Sequence, residues 1–225
     1  PRLLGEPRGD GRKVVLMPGF LADDRSMWPL RRFLSALGYD ARGWGLGRNT
    51  GDPEELAAAF IASLDSLRAA GERITLIGWS LGGLYAVALA HRFPQWVRQA
   101  ITLGTPYGDP RGTALYSVMG SLYDNDVDEE ALQRWVAHTY RGGKLQVPVL
   151  ALHSESDGIV GPGIARCQGD PAYVTNMAVM ASHVGFPFNP LVFAVIANHL
   201  VEPQRRWALC RSERIKPFVR VASED

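Results

Sequence analysis

One serine in this chain stands where a hydroxyl could be made reactive. Ser80 is the centre of Gly78-Trp79-Ser80-Leu81-Gly82, a G-x-S-x-G pentapeptide. The apolar run Ile74 to Trp79 reads as a strand and the run opening at Leu81 reads as a helix, so Ser80 falls at their junction. A strand-to-helix turn that sharp holds a side chain above the sheet edge and brings neighbouring backbone against residues 78 and 82. Glycines at those two positions follow from the lack of room for a Cβ, and Gly83 adds a third small position for close helix packing.

A serine hydroxyl is a weak nucleophile at neutral pH. Attack on an acyl carbon therefore requires a base to take its proton and an acid to orient that base. Among the chain's 5 histidines, His91 falls in the helix after the serine, His138 in a helical stretch further on, His153 at a strand end and His199 late in the last helix. His183 lies in the loop Ala181-Ser182-His183-Val184-Gly185-Phe186, after the last expected strand, where an imidazole has the freedom to reach a strand end. Two carboxylates, Glu155 and Asp157, compete in His153-Ser154-Glu155-Ser156-Asp157-Gly158-Ile159-Val160. The glycine beside Asp157 suits a turn that aims a carboxylate inward, and Glu155 is its local rival.

The elements that must position these residues alternate along the chain. Lys13 to Met17 is short, β-branched and stopped by Pro18-Gly19, as a buried strand would be. Trp28 to Leu37 has helical spacing closed by Gly38, Tyr39 to Trp44 reads as a strand, and Asp52-Pro53-Glu54-Glu55 opens a helix running to Ala70. Glu72 to Trp79, Val97 to Leu103, Val147 to Leu152 and Tyr173 to Val179 are further strands, the last of these the final one expected. Leu81 to Phe93 is the helix after the serine, and Asn189-Pro190 opens the last helix. Strands and helices alternating at this length predict an α/β three-layer sandwich with a mainly parallel central sheet, because right-handed crossovers lay helices on both faces. The pattern breaks between about 107 and 146, where glycines, tyrosines and an acidic cluster precede a helical stretch; this reads as a small cap-like insertion in a single domain spanning 1–225.

Composition narrows the partners. With 46% hydrophobic and 21% charged residues and a net charge of +1, the 225-residue chain can bury a full core and offers no basic stripe for nucleic acid, so a small molecule is the expected partner. Leu191 to Leu200 is about half a bilayer span, so no integral membrane segment is expected. A soluble, cytoplasmic chain is expected, with export left open, since Pro1 suggests that something upstream was removed or not included. Cys167 and Cys210 are too few for a disulfide framework and lack zinc-site spacing; idle thiols are expected, with a single bridge left open. The glycines of Gly43-Trp44-Gly45-Leu46-Gly47-Arg48-Asn49 do not match G-x-G-x-x-G and open no helix, which argues against a dinucleotide site.

From Lys13 to about Leu200 the sequence resembles the α/β-hydrolase superfamily, and within it compact esterases and lipases, through the pentapeptide, the order serine, acid, histidine, and Asp157-Gly158-Ile159-Val160, which looks like the acid loop of many members. The resemblance implies that Ser80, His183 and Asp157 form a catalytic triad acting on a small-molecule acyl ester through an acyl-enzyme, with neither metal nor organic cofactor. It implies backbone N–H donors to an oxyanion at Leu81 and at Phe20, the latter in Met17-Pro18-Gly19-Phe20, which resembles the family's His-Gly-x turn with Pro18 where histidine is common. Trp28 and Tyr107 are candidates to line an acyl pocket, with plain core packing as the alternative. A carboxylesterase is favoured over an interfacial lipase because the cap is acidic. Lipase, thioesterase and acyltransferase activities share the same machinery, and a non-catalytic ligand-binding protein is the alternative of another class.

Overall fold

The structure, a computed structural model, describes residues 9–51, 58–63, 71–108, 113, 145–201 and 219–221. Among the described residues there are seven strands: β1 (Lys13–Met17), β2 (Asp40–Gly43), β3 (Ile74–Trp79), β4 (Val97–Leu103), β5 (Val149–His153), β6 (Val174–Val179) and β7 (Val219–Val221). Their order across the sheet is β2-β1-β3-β4-β5-β6-β7; all neighbours are parallel except β6 and β7. The helices are α1 (Trp28–Leu37), α2 (residues 58–63), α3 (Leu81–Arg92) and α4 (Pro190–Val201).

Strand residues alternate between two cores, as a period of two requires. Val15 and Met17 of β1, Ile74 and Leu76 of β3, and Val149 and Ala151 of β5 pack with Phe60 of α2 and with Leu84, Tyr85 and Leu89 of α3. Val14, Leu16, Ile77, Trp79, Leu150 and Leu152 face the other way, onto Leu30 and Leu34 of α1 and Val192, Phe193 and Ile196 of α4. Every residue of β3 and β5 is buried, because helices cover both faces of the central strands. The molecule is thus the three-layer α/β sandwich with a mainly parallel sheet that the sequence predicts.

Topology fixes where a site can form. The chain leaves β1 for β2 on one side, whereas β3 returns to the other side of β1, so the loops after β1 and β3 diverge and open a crevice at the carboxyl ends of these strands. Register keeps those ends level: Met17 lies opposite Gly78, Trp79 opposite Leu103, and Leu103 opposite Leu152. The loops that begin at residues 18, 80, 104 and 154 therefore emerge side by side.

Several expected bounds need correction: β3 starts at Ile74 rather than Glu72, and β6 at Val174 rather than Tyr173. Val174–Val179 is not the last strand: β7 pairs antiparallel with it at the sheet edge, and three residues are too few for an alternation pattern to stand out. β2 is shorter than Tyr39 to Trp44; both aromatic ends are buried, but the Trp44 N–H turns away from the ladder to the Asp24 carboxylate, at 2.9 Å. β5 starts at Val149 rather than Val147 and includes His153. Most of the cap-like insertion at 107–146, both ends of the helix expected from Asp52 to Ala70, and Cys210 lie outside the described residues. Among the described residues no helix is long and apolar enough to cross a membrane.

The core carries a pH liability in α4. Burial lowers the pKa of His199 from its ordinary 6.5 to about 4. The unfolded chain thus takes up a proton below pH 6.5 that the folded chain refuses until about pH 4. Stability from this group is complete above pH 6.5 and declines as pH falls towards 4, by a total on the order of 3 kcal/mol. Urea denaturation of His199→Leu and the parent between pH 7 and 4 is expected to show a shallower loss in the variant.

Candidate active site

Ser80 occupies a backbone conformation that side chains avoid, with φ 53° and ψ −122°. Such a geometry costs on the order of 1–3 kcal/mol and persists only where its surroundings over-determine it. They do so here. The Ser80 N–H donates to the Leu103 carbonyl at 2.9 Å, and the Ser80 carbonyl accepts from the Gly83 N–H at 2.9 Å and from the Thr105 hydroxyl at 3.0 Å. The glycines behave as the sequence requires: a Cβ at Gly78 would run into the backbone of Gly82 and Gly83, and one at Gly82 into the carbonyl oxygens of Met17 and Pro18. The helix bearing Leu81 is thereby seated directly against the loop after β1.

The structure brings Ser80, His183 and Asp157 into one buried hydrogen-bonded series. His183 Nε2 lies 3.0 Å from Ser80 Oγ, and His183 Nδ1 lies 2.8 Å from Asp157 Oδ2. The other oxygen of Asp157 accepts the backbone N–H groups of Ile159 and Val160, both at 2.9 Å. The carboxylate is therefore satisfied on both sides, as a buried charge must be, and its two oxygens have separate duties. Glu155, the rival, is exposed, and the intervening turn points it to solvent. His91 is partly buried on α3, His153 and His199 are buried, and His138 lies outside the described residues.

Several residues hold this series that the sequence reading passed over. Gly104, with φ +55°, leaves the space beside it: a Cβ there would stand 2.9 Å from Asp157 Oδ2 and 3.2 Å from His183 Nδ1. Trp79 donates its indole N–H to the His183 carbonyl at 3.0 Å, with ring centroids 5.8 Å apart. The buried Ser154 hydroxyl accepts N–H groups from Ser156 and Ala181, both at 3.1 Å, tying the acid loop to the histidine loop. Trp79 and Ser154 belong to motifs already singled out, yet nothing in their local sequence says which distant backbone group they meet.

The expected oxyanion donors fall at the same crevice. A Cβ at Gly19 would stand 3.2 Å from the Ser80 Cβ, so the turn carrying Phe20 runs beside the serine. Leu81 is the first residue of α3, where the N–H has no acceptor within the helix. The two pocket candidates are placed differently. Trp28 starts α1, is 49% exposed, and has the Arg32 guanidinium 5.5 Å from its ring centre. Tyr107 packs against the core beneath α3, with its hydroxyl bonded to that of Thr102. Cys167 is a buried thiol whose pKa burial pushes up to about 12. No group of three or more His, Cys, Asp or Glu among the described residues is arranged to hold a metal ion.

Comparison with known proteins agrees with this architecture. The chain superposes on Est1E from Butyrivibrio proteoclasticus with ferulic acid bound (TM-score 0.64, 16% identity, 85% of this chain and 88% of that one). It superposes similarly on a putative non-heme bromoperoxidase, BpoC, from Mycobacterium tuberculosis H37Rv (TM-score 0.64, 20% identity, 88% and 95%). A monoacylglycerol lipase from Paleococcus ferrophilus gives a TM-score of 0.61 at 16% identity, over 88% and 96%. At these identities the likeness is one of fold. No curated protein sequence matches the chain. The sequence model of the alpha/beta hydrolase family matches residues 14–221, nearly the whole chain, and the protein therefore belongs to that family.

Proposed function

We propose that this protein is a serine hydrolase that cleaves carboxylic esters through an acyl-enzyme on Ser80. The observation that carries the reading is the unbroken series from Ser80 Oγ to His183 Nε2 and from His183 Nδ1 to Asp157 Oδ2, at 3.0 and 2.8 Å, with the serine on a strained turn. Membership of the hydrolase family supports it.

In this mechanism Ser80 Oγ attacks the ester carbonyl carbon while His183 Nε2 takes its proton. The carbonyl oxygen becomes an oxyanion facing the N–H groups of Phe20 and Leu81. Collapse expels the alcohol, which receives the proton from His183, and leaves the acyl group on Ser80. Water, deprotonated by His183, then attacks the acyl carbon; the acid departs and Ser80 recovers its proton. Asp157 keeps the Nδ1–H tautomer and stabilises the imidazolium that forms twice per cycle.

A lipase-like preference for longer acyl chains is the second reading, and one feature favours it. Met180, Val184 and Phe188 flank His183 and are 64%, 59% and 51% exposed, so the loop carrying the base offers apolar surface to solvent.

With p-nitrophenyl esters of graded chain length, a burst of p-nitrophenol followed by steady turnover is expected, both lost in Ser80→Ala and His183→Ala. A rate rising with chain length beyond the solubility limit would select the lipase reading; unchanged turnover in Ser80→Ala would end the proposal. Asp157→Asn is expected to lower kcat by about 10³–10⁴-fold. Trp79→Phe, which keeps a ring but loses the bond to the His183 carbonyl, should lower kcat about tenfold, with KM little changed.

A further inference from the structure

The loop after β1 closes one turn of its own, from the Ala22 N–H to the Gly19 carbonyl at 3.1 Å, and is otherwise held from outside. It is tied to the loop after β2, across the outer edge of the crevice, chiefly by one wholly buried residue, Asn49. The Asn49 side chain donates from Nδ2 to the Pro18 carbonyl at 2.9 Å, and its Oδ1 accepts the Gly51 N–H at 3.2 Å, which fixes the amide's orientation. Its backbone carbonyl accepts the Leu21 N–H at 2.7 Å, and its N–H donates to the Ala22 carbonyl at 2.9 Å. A second tie lies further along, where the Asp24 carboxylate accepts the N–H groups of Trp44 and Gly45 at 2.9 and 3.2 Å.

These bonds bracket one peptide group. Pro18 and Leu21, both bonded to Asn49, stand on either side of the Gly19–Phe20 peptide; its own carbonyl accepts the Ala22 N–H at 3.1 Å, and planarity sets the Phe20 N–H opposite that carbonyl, so Asn49 holds the flanks of a plane that the turn bond also orients. Leu21 has φ +58°; with Ser80 it is one of two non-glycine residues at positive φ among the described residues. A leucine held there stores strain that the Asn49 carbonyl restrains through the Leu21 N–H. The Phe20 ring is seated over Gly51, where a Cβ would approach it to 2.8 Å. The same Pro18 carbonyl that Asn49 holds is one that a Cβ at Gly82 would strike, so the tie sits directly behind the serine helix.

We infer that Asn49 is a positioning residue for the oxyanion hole: it aims the Phe20 N–H by holding the strained turn before and after it. The inference rests on the proposed role of Ser80. Its signature is a defect in the transition state rather than in ground-state binding, because the oxyanion exists only after attack.

The test compares the parent with Asn49→Asp, which keeps the shape and the acceptor for Gly51 but loses the donor to Pro18. Asn49→Ser is the substitute if that variant does not fold. Three readouts are needed: labelling of Ser80 by a fluorophosphonate, located by peptide mass spectrometry; kcat and KM on a p-nitrophenyl ester; and the inhibition constant of a matched trifluoromethyl ketone. That ketone adds Ser80 Oγ to its carbonyl carbon, gives the serine proton to His183 and places its own oxygen, now anionic, in the hole. Expected in the variant is a loss of about 100-fold in kcat and a similar loss in ketone affinity, with KM within about threefold of the parent. Unchanged ketone affinity in a folded variant would overturn the inference, whatever happens to thermal stability. A parent protein that is not labelled at Ser80 would instead overturn the hydrolase reading on which it rests.

Discussion

The site depends on one close approach of backbone to backbone. At the switch point of the sheet, α3 begins so near the end of β1 that any side chain at Gly82 would strike the Met17 and Pro18 carbonyls. This contact, with Gly78 crowded against Gly82 and Gly83, fixes the turn in which Ser80 adopts positive φ. Strain at Ser80 is offset by its bonds to the Leu103 carbonyl, the Gly83 N–H and the Thr105 hydroxyl. A serine so held has its hydroxyl 3.0 Å from His183 Nε2, the preorganisation that the proposed nucleophilic attack would use.

The remaining parts are assembled from loops whose starting points the register makes level. Burial then constrains the chemistry. Asp157 is buried, so it needs bonds to both oxygens; two come from its own turn, at Ile159 and Val160, and the third comes from His183. The imidazole is aimed by that carboxylate and by the Trp79 bond to its backbone, while Gly104 keeps the space beside it clear. Ser80, His183 and Asp157 thus lie in one series because each is pinned by its neighbours.

Much of this was legible in the sequence. β1, β4, α1 and the start of α3 follow from apolar period and from glycine or proline stops, and the Ser80 pentapeptide announces a turn because two glycines flank it at the spacing a tight crossing needs. The loops carrying Asp157 and His183 could be located as strand exits. Other features were not legible, for identifiable reasons. β7 is a three-residue edge strand whose pairing with β6 is a long-range contact with little local signal. Asn49 sits in a glycine-rich stretch whose sequence argued only against a nucleotide site; its importance comes from facing Pro18, 31 positions earlier in the chain. Trp79 likewise meets His183, 104 positions later. Local pattern specifies elements, but which polar group satisfies which distant partner is decided by their packing.

The proposed function turns on a covalent acyl intermediate at Ser80. Rapid mixing with a p-nitrophenyl ester, acid quench within the burst phase and mass spectrometry of the digested protein test it directly. Expected is an acyl mass increment on the peptide containing Ser80, appearing with the burst and decaying at the turnover rate when substrate is exhausted. Turnover with no adduct at any time, or an adduct on another residue while Ser80 stays unmodified, would contradict it.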